Sequence, residues 1–579
     1  MEQFHSEEIR RRQRGATHAP SSYSLWFLCG LTCALLIGLI GFRPNPTQTT
    51  STWLIQAKAG QTQQQLHDQI ASIGGIQTHD LPSINAVGAN LTPQQIAKLQ
   101  QDETLHLLNN EQLAVAAQDA DDVGIPQGAY PSLIEADRLH QEGIQGDGIG
   151  VAIIDTGSWD IKPLTQNTSR QNRMVRYDAI ADTMGSESAQ DTNGHGTHIA
   201  GIVGYSEKNN SDKYTGVAPD AKLIVVKAFD NDGVGTYLDV IRGVDWVIEH
   251  RDEHNIRVLN LSFSTTPQSY YWEDPLNQAV MRAWEAGIVV VASAGNSGPD
   301  PMTIGVPGNI PYVITVGAMT DNYTPNDESD DYIASFSAAG PTVEGFVKPE
   351  MVAPGGHILS TMHETMQIAS DYPEYHEYGN FFTMSGTSQS AAVVSGVVAL
   401  MLDADPSLTP DDVKCRLMDS AHTGVDADGN LLWSIFQQGT GAVNAWDAVH
   451  SDASDCANNG LDISAELNDT AHFSGPVSQD ADGNFYLRDA NGDPIADALA
   501  WSGGYFMGSG YFMGSGYFMG SGYFMGSGYF MGSGYFMGSG YFMGSGYFMG
   551  SGYFMGSSEL SSDTFDTATT SINTWVPQE

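Results

Sequence analysis

Continuous apolar runs recur through the middle of the chain and are separated by segments whose apolar residues follow helical spacing. The runs are 149–154, 223–226, 258–261, 288–291 and 313–316, and the helical segments include 236–250, 275–286 and 389–403. A run that is apolar at every position is typical of a strand buried on both faces. Strands alternating with helices predict an α/β fold, with a parallel sheet covered by helices on both sides. In such sheets reactive side chains collect at the carboxyl ends of the strands.

The segment 53–115 has a different pattern, which predicts a small module with the order β-α-β-β-α-β. Residues 53–57 and 84–89 are strand candidates, and an apolar pattern at helical spacing lies between them. A second helix is predicted to begin at Thr92, because Gln95 stands three residues later and completes a capping box. Taken alone, this order is compatible with many small α+β domains.

The N-terminal segment is basic and then apolar. Residues 1–24 carry four arginines ahead of the apolar run 25–42, which is 18 residues long and lies at the short edge of what spans a bilayer. The basic residues predict that this end stays cytoplasmic and that the rest of the chain is exported. A cleaved signal peptide, an uncleaved membrane anchor and a buried core helix all remain open. The expected location is secreted or membrane-tethered, with residues 25–42 contacting the membrane before processing.

Length, charge and cysteine content exclude some classes of protein. The 579 residues carry 24 Lys and Arg against 68 Asp and Glu, a formal net charge of −44. This length predicts several domains, and the acidic excess argues against nucleic-acid binding, which needs clustered basic residues. Hydrophobic residues make up 41% of the chain, which excludes wholesale disorder. The chain has only 4 cysteines, too few for a disulfide scaffold, but Cys415 and Cys456 could pair after export.

The region 455–500 is acidic and rich in turn residues. The motif at 426–430 recurs at 480–484, and 489–493 is similar, each with oxygen-bearing side chains around a glycine. Such motifs can bind Ca²⁺, but Asp-Gly and Asn-Gly are also strong hairpin signals. Because no glutamate closes an EF-hand loop in register, we favour turns.

Residues 501–558 contain a hexapeptide repeat, and a short tail covers 559–579. The unit Tyr-Phe-Met-Gly-Ser-Gly starts at Tyr505 and recurs nine times, without one charged residue between Trp501 and Ser558. A period of six is even, so in an extended chain Tyr, Met and Ser share one face, and Phe and Gly the other. The tract is predicted to stack as a β-solenoid or to be disordered and prone to association. A tolerated expansion without a function of its own is a third interpretation.

Three short motifs supply an acid, a base and a nucleophile. Asp155 ends the first apolar run, His195 opens a helix of small residues, and Ser388 opens another. A serine hydroxyl is a poor nucleophile until a neighbouring imidazole takes its proton. A carboxylate on the other ring nitrogen fixes the tautomer and stabilises the imidazolium. Each motif alone is commonly a turn or loop, but all three fall at predicted strand or helix ends.

The three motifs, in the order Asp, His, Ser, resemble those of the subtilisin-like serine proteases, the subtilases, over about residues 53–450. The resemblance implies a three-layer fold over residues 131–450, with the parallel sheet between helices. It also implies a serine endopeptidase that hydrolyses proteins and peptides through an acyl-enzyme. In this family His195 matches the catalytic histidine and His198 its structural companion. Catalysis would need no cofactor, and structural Ca²⁺ is a family expectation without placed ligands.

The resemblance extends to the substrate cleft. Asn296 matches the family's oxyanion-hole asparagine, and the Ser388 N–H would be the second donor. Substrate would lie as an added strand, and the matching residues are Gly233 and Gly235 on one edge, Ser262, Phe263 and Ser264 on the other, and Ser293, Ala294, Gly295 and Gly305 in the remaining pocket wall. None of these residues is charged. We therefore expect a broad or apolar preference for the residue before the scissile bond, not a preference for Lys or Arg.

Two motifs depart from the family pattern. The residues after Ser388 are Gln-Ser-Ala-Ala, where the family commonly has Met-Ala-x-Pro, and neither change removes a catalytic atom. The residues after Asp155 lack the usual His-Pro-Asp, which puts the family's common calcium site in doubt.

The module 53–115 resembles the family's inhibitory propeptide, which is a small α+β domain of ferredoxin-like fold. The resemblance implies an intramolecular inhibitor followed by a processing linker, 116–130. Self-cleavage in this linker would separate the protease from residues 25–42. Two other functions remain open: a surface adhesion or matrix protein whose protease domain mainly matures its own chain, and a processing enzyme with one dedicated substrate.

Overall fold

The computed structural model describes the chain from residue 50 to residue 493 with short gaps, together with six short strands further on. The described residues are 50–58, 62–102, 104–110, 112–115, 118–119, 129–185, 189–325, 327, 330–376, 379–426, 430–481, 483–489, 493 and the strands between 524 and 555. The predicted membrane segment 25–42 and the tail 559–579 lie outside the described residues.

The small module contains the predicted elements in the predicted order. They are β1 (Ser51–Ala57), α1 (Gln63–Ser72), β2 (Ile76–Leu81), β3 (Ala86–Leu91), α2 (Pro93–Leu99) and β4 (Leu105–Asn109). The strands form an antiparallel sheet in the order β2-β3-β1-β4. The strand predicted at 84–89 begins later, because Pro82–Ile84 form a short 3₁₀ helix. Both helices start with a capping box, at Thr62 and at Thr92.

Two short strands and two helices connect this module to the large sheet. They are β5 (Gln112–Val115), β6 (Gln118–Asp119), α3 (Tyr130–Leu133) and α4 (Ala136–Glu142). The two strands do not join the large sheet. Instead, β5 and β6 pair with strands that border the candidate site.

The large sheet has nine strands in the described part of the chain, and seven of them are parallel. In chain order the elements of this region are β7 (Gly150–Asp155), α5 (Lys162–Thr165), β8 (Met174–Asp178), β9 (Thr183–Met184), α6 (His195–Gly204), β10 (Lys222–Lys227), β11 (Val234–Thr236), α7 (Tyr237–Glu249), α8 (Arg251–His254), β12 (Ile256–Leu261), β13 (Phe263–Ser264), α9 (Pro275–Glu285), β14 (Val289–Ser293), β15 (Ile314–Thr320), β16 (Tyr332–Ile333) and β17 (Met351–Pro354). The strand order is β16-β15-β14-β12-β7-β10-β8-β9, and β17 also pairs with β15. Only the short edge strands β9 and β16 pair antiparallel, so the predicted α/β class is confirmed.

The elements that follow complete the helical layers. They are β18 (Ile358–Thr361), α10 (Gln367–Asp371), β19 (Phe381–Ser385), α11 (Thr387–Ala404), α12 (Pro410–Asp419), α13 (Ile435–Gln438), α14 (Ala445–His450), α15 (Ile463–Leu467), β20 (Val477–Gln479) and β21 (Phe485–Leu487). Among the described helices, α11 alone is long and apolar enough to cross a membrane, and 89% of it is buried within the protein. It is the central core helix, and it begins at the Ser388 motif.

The acidic region after residue 455 packs onto the large domain. The rings of Phe436 and Phe485 contact each other, and Trp272 stacks on His472. The structure also joins Cys415 to Cys456 in a disulfide, with their Cα atoms 5.2 Å apart.

The first and last residues of the three predicted turn motifs share one hydrogen-bond pattern. In each, the first aspartate donates its backbone N–H to the carbonyl of the residue four positions later, over 2.8–2.9 Å. Its carboxylate accepts that residue's backbone N–H. The motif at 480–484 joins β20 to β21, which form an antiparallel hairpin. These are the turns that the sequence favours.

The described strands of the repeat tract form two parallel sheets. They are β22 (Phe524–Met525), β23 (Gly528–Met531), β24 (Gly534–Met537), β25 (Gly540–Met543), β26 (Gly546–Met549) and β27 (Gly552–Met555). Strands β22, β24 and β26 pair in one sheet, and β23, β25 and β27 in the other. Each tyrosine therefore pairs with the tyrosine two repeats away, as Tyr529 does with Tyr541. Of the alternatives drawn from the sequence, this pairing favours the stacked solenoid.

Candidate active site

The acid and the base meet at the end of the central strand. Asp155 is the last residue of β7, and its carboxylate oxygens lie 2.8 and 3.0 Å from Nδ1 of His195. His195 begins α6 after Gly194, whose φ of 114° lies in the left-handed region that favours glycine. Both side chains are fully buried. A carboxylate on Nδ1 leaves Nε2 as the nitrogen that can accept a proton, and Nε2 has no hydrogen-bond partner among the described residues.

Strand register brings the nucleophile to the same edge. Strands β7 and β12 are hydrogen-bonded neighbours with Ile154 opposite Leu261, so Ser262 follows β12 beside the Asp155 end of β7. The Oγ of Ser388 donates to the carbonyl of Ser262 over 2.9 Å. In return, the Oγ of Ser262 donates to the carbonyl of Ser388, also over 2.9 Å. Sheet geometry thus places Ser388 at the strand end that carries Asp155.

Thr387, the residue that precedes Ser388, fixes the position of Asn296. Its Oδ1 accepts the backbone N–H of Thr387 at 3.0 Å and the Thr387 hydroxyl at 2.9 Å. These bonds orient the amide, and its buried Nδ2 has no hydrogen-bond partner among the described residues. A buried, oriented and unused donor beside a nucleophile is suited to stabilising negative charge that develops during reaction.

Asp191 fixes the turn that carries His195, and the sequence analysis missed it. Its Oδ1 accepts the backbone N–H groups of Asn193 and Gly194, each at 2.9 Å, and the Thr156 hydroxyl at 3.0 Å. Its Oδ2 accepts the backbone N–H of Thr197 at 2.9 Å and the Thr197 hydroxyl at 2.6 Å. Asp191 therefore ties the residue after Asp155 to the first turn of α6. An aspartate two residues before an Asn-Gly helix start is the signal that could have revealed it.

His198 has a different environment from His195. Its Nε2 lies 3.1 Å from the carbonyl oxygens of Ile358 and Phe382, and the side chain is fully buried. Burial lowers the pKa of His198 to about 3, so the ring stays neutral and donates from Nε2. This bond attaches α6 to the β18–β19 pair, which is a structural role.

The chain's own backbone occupies the cleft predicted for substrate. Strand β5 lies between β11 and β13 and pairs antiparallel with both. Gly235 stands opposite Leu113 on one edge, and Ser264 stands opposite Ala114 on the other. The two edges that the sequence predicts for an added substrate strand therefore already hold one. After a gap of two residues, β6 pairs with β19, which leads directly to Ser388.

The residues predicted for the pocket wall lie together beside this strand. The Ser293 hydroxyl donates to the carbonyl of Phe263 at 3.0 Å, and the backbone N–H of Gly305 donates to the carbonyl of Ala294 at 3.1 Å. The Oγ of Ser264 lies against Gly295 and Gly305. Gly233 lies outside β11, in the turn that leads into it, with its N–H on the carbonyl of Asp230 at 3.2 Å.

The described residues do not assemble a metal site. Among them, no group of three or more His, Cys, Asp or Glu side chains could hold an ion. Asp160, which follows Asp155 where the family commonly binds calcium, instead lies 3.5 Å from the guanidinium of Arg176. We therefore assign no calcium ligand within the described part of the chain.

An aspartate–histidine pair at the carboxyl edge of a parallel sheet, with a serine at the same edge, is an arrangement that serine proteases use. Comparison with known proteins agrees. The model of the subtilase family matches residues 146–447. Serine protease AprX of Bacillus subtilis (strain 168) is 40% identical over 312 residues, which are 53% of this chain and 67% of that protein. Subtilisin E of the same organism is 30% identical over 384 residues, which are 66% of this chain and 85% of that protein.

This chain belongs to the subtilase family and is a subtilisin-like serine protease. Enzymes of this family need no cofactor for catalysis. The solved structure of fervidolysin from Fervidobacterium pennivorans, a keratinolytic enzyme related to subtilisin, matches with a TM-score of 0.54 and 23% identity. The match covers 70% of this chain and 62% of fervidolysin, and at this identity it shows the fold alone.

Proposed function

We propose that the chain is a serine endopeptidase in which Ser388 is the nucleophile, His195 the general base and acid, and Asp155 the orienting carboxylate. The observation that carries this proposal is the Asp155–His195 pair at 2.8 Å, with Ser388 at the same sheet edge. His195 takes the proton of the Ser388 hydroxyl through Nε2 as Oγ attacks the substrate carbonyl. It then gives that proton to the leaving amine, and an acyl-enzyme remains. Water, activated in the same way, releases the acid product.

The negative oxygen of each tetrahedral intermediate would be bound by two donors. One is Nδ2 of Asn296, and the other is the backbone N–H of Ser388 in the first turn of α11. The positive end of the α11 dipole adds to this stabilisation. Thr387 already orients the Asn296 amide before the substrate arrives, so this donor needs little reorganisation during the reaction.

The substrates are proteins and peptides that lie extended in the cleft. The edges at β11 and β13 offer backbone hydrogen bonds, which recognise the main chain of any extended segment. The pocket residues predicted from the sequence are uncharged, which supports a broad or apolar preference for the residue before the scissile bond.

The chain is made as a self-processed precursor, in which the module 53–115 acts as an intramolecular inhibitor. Its support is β5, which fills the substrate cleft. Because β5 ends at Val115 and β6 begins at Gln118 beside the strand that leads to Ser388, we expect the cut within 115–118. This lies at the start of the proposed linker, 116–130. The peptidase domain, 131–450, would then be free of the module and of residues 25–42.

Export of the chain has two supports. The basic N-terminal residues ahead of the apolar run 25–42 predict export, and Cys415 and Cys456 pair as is usual in oxidising compartments. Whether residues 25–42 are cleaved or tether the precursor is tested by the mass of the exported product.

Casein hydrolysis tests this function. We expect Ser388→Ala to lower the rate by about 10⁴-fold or more and to leave the precursor uncut. Ser407→Ala, a serine-to-alanine change at an exposed turn, serves as the control and should leave the rate unchanged. Activity on casein retained by Ser388→Ala would reject the assignment. Self-cleavage by the wild type without casein hydrolysis would instead favour the adhesion or dedicated-processing alternatives.

A further inference from the structure

Ser264 fills the space that two glycines leave open in the pocket wall. A side-chain carbon added at Gly305 would overlap the Ser264 hydroxyl, and one at Gly295 would lie 2.8 Å from it. The Cβ of Ser264 is also near, 3.2 Å from the added carbon at Gly305 and 3.4 Å from that at Gly295. The Ser264 side chain therefore reaches across from one wall of the pocket to the other.

The two walls are fixed relative to each other, so the pocket cannot easily widen. The Ser293 hydroxyl holds the carbonyl of Phe263 at 3.0 Å, which ties the segment after β14 to β13. Within the second wall, the backbone N–H of Gly305 donates to the carbonyl of Ala294 at 3.1 Å. Ala294, Ile304 and Ala338 pack together behind this wall and are buried. A rigid wall means that the volume taken by Ser264 is lost to the substrate.

Strand register locates this space relative to the scissile bond. Val115 stands opposite Phe263, so the following residue of a strand in the cleft comes level with Ser262, whose carbonyl binds Ser388. That residue precedes the bond attacked by Ser388. In the proposed function, the side chain of that residue enters the pocket that residues 262–264 line on one side and residues 293–295 and Gly305 on the other.

We propose that Ser264 restricts the residue before the scissile bond to small side chains, with alanine favoured and phenylalanine or leucine disfavoured. This inference rests on the proposed function and narrows its substrate class. A large side chain could enter only by displacing the Ser264 hydroxyl, and its methylene would still occupy the gap. Overpacking of this kind is unfavourable in a rigid site.

The chain's own sequence gives independent support. The two residues between β5 and β6, in which we expect the self-processing cut, are Ala116 and Ala117. If the cut falls between these two residues, the residue before it is Ala116. The chain's own first substrate would then carry alanine before the scissile bond.

The test uses peptide p-nitroanilides that differ only in the residue before the scissile bond, alanine or phenylalanine. We expect the processed wild-type enzyme to cleave the alanine substrate with a kcat/KM at least about tenfold higher than the phenylalanine substrate. Ser264→Gly, which clears the gap, should raise kcat/KM for phenylalanine about tenfold or more and change alanine little. Ser264→Ala, which keeps the methylene carbon, should fall between them. Ser269→Gly, the same change in the loop that follows β13, is the control and should match the wild type.

The outcomes separate this inference from the proposed function. A wild-type preference for phenylalanine, or a ratio unchanged by Ser264→Gly while alanine is still cleaved, would overturn the role of Ser264 alone. Failure to cleave either substrate, together with no labelling of Ser388 by a fluorophosphonate, would reject the proposed function instead. Labelling of Ser388 also verifies that each variant is folded, because the label requires an assembled site.

Discussion

The small module and the peptidase domain bury their sheets in different ways. The strands of the large sheet are covered on both faces by helices of their own domain. In the module, Ile55 and Val87 pack under its two helices, whereas Leu54 and Ala86, one position earlier, join the core of the large domain. One face of the module's sheet therefore depends on the protease for its burial. The module is therefore suited to docking on the peptidase domain through this face.

Polar contacts also join the module to the peptidase domain. His79 lies 3.0 Å from Asp239 on α7, and Arg242 donates to the carbonyl of Thr78 at 3.0 Å. Arg282 on α9 donates to the carbonyl of Ser83 at 3.1 Å. These contacts involve side chains of helices α7 and α9, whereas Asp155 and His195 lie at the end of β7 and the start of α6. Substitutions can therefore separate catalysis from docking.

Among the substitutions that separate catalysis from docking, the largest expected effect falls on catalysis and leaves docking intact. Asn296→Ala should lower kcat about 10²–10³-fold with little change in KM, because its amide binds charge that exists only in the transition state. Steady-state kinetics on a soluble peptide substrate would measure it. An equal loss in KM instead would show that Asn296 binds the ground state.

The next effect breaks docking and leaves the peptidase fold intact. Leu54→Ala should cost about 2–5 kcal/mol of the module's stability, because it opens a cavity between the module and the large core. Hydrogen exchange in the uncut Ser388→Ala chain should show faster exchange in β1 and β3 and unchanged exchange in β7. The matched control is Ile76→Ala, since Ile76 is 65% exposed on the same module. If both substitutions increased exchange equally, burial of Leu54 against the large domain would not be what stabilises the module.

A smaller effect on kcat is expected from loosening the turn that positions His195. Asp191→Asn should lower kcat about tenfold, because the amide cannot accept on both sides, and the turn before His195 loosens. A lower melting temperature with an unchanged kcat would leave Asp191 a purely structural residue.

The smallest expected effect is a pH dependence of stability caused by Asp245 on α7. Burial raises the pKa of Asp245 on α7 to about 7, and the nearby carboxylates of Asp80 and Glu249 act in the same direction. Because the pKa in the folded chain exceeds the ordinary value of 3.8, protonation stabilises the fold at acid pH, and this gain is lost as pH rises through about 7. Asp245→Asn in the uncut Ser388→Ala chain should therefore raise the melting temperature at pH 8 more than at pH 4.5. A gain that is equal at both pH values would contradict this cause.

Much of the fold and site could be predicted from local patterns. The apolar runs before Asp155 and Ser262 predict central strands, and the motifs around Asp155, His195 and Ser388 predict the chemistry at their ends. Patterns within a few residues sufficed there because strand burial and helix starts are locally encoded. The role of Asp191 was not predicted, because its five hydrogen bonds form only when the turn is folded.

The remaining features depend on contacts between distant segments. Ser264 and Gly305 are far apart in sequence. Only the folded structure shows that the Ser264 side chain occupies the space next to Gly305. The packing of Trp272 against His472 likewise could not follow from a turn-rich composition. In the repeat tract, identical units allow several registers, and the sequence alone does not choose among them.

The central claim is that Ser388 is activated by His195 and Asp155. The most direct measurement is the mass of the peptide that carries Ser388 after treatment of the processed enzyme with a fluorophosphonate. We expect one adduct, on Ser388, formed rapidly in the wild type and at least about 10³-fold more slowly in the His195→Ala variant. Equal labelling in the two proteins, or an adduct on a different serine, would contradict the account.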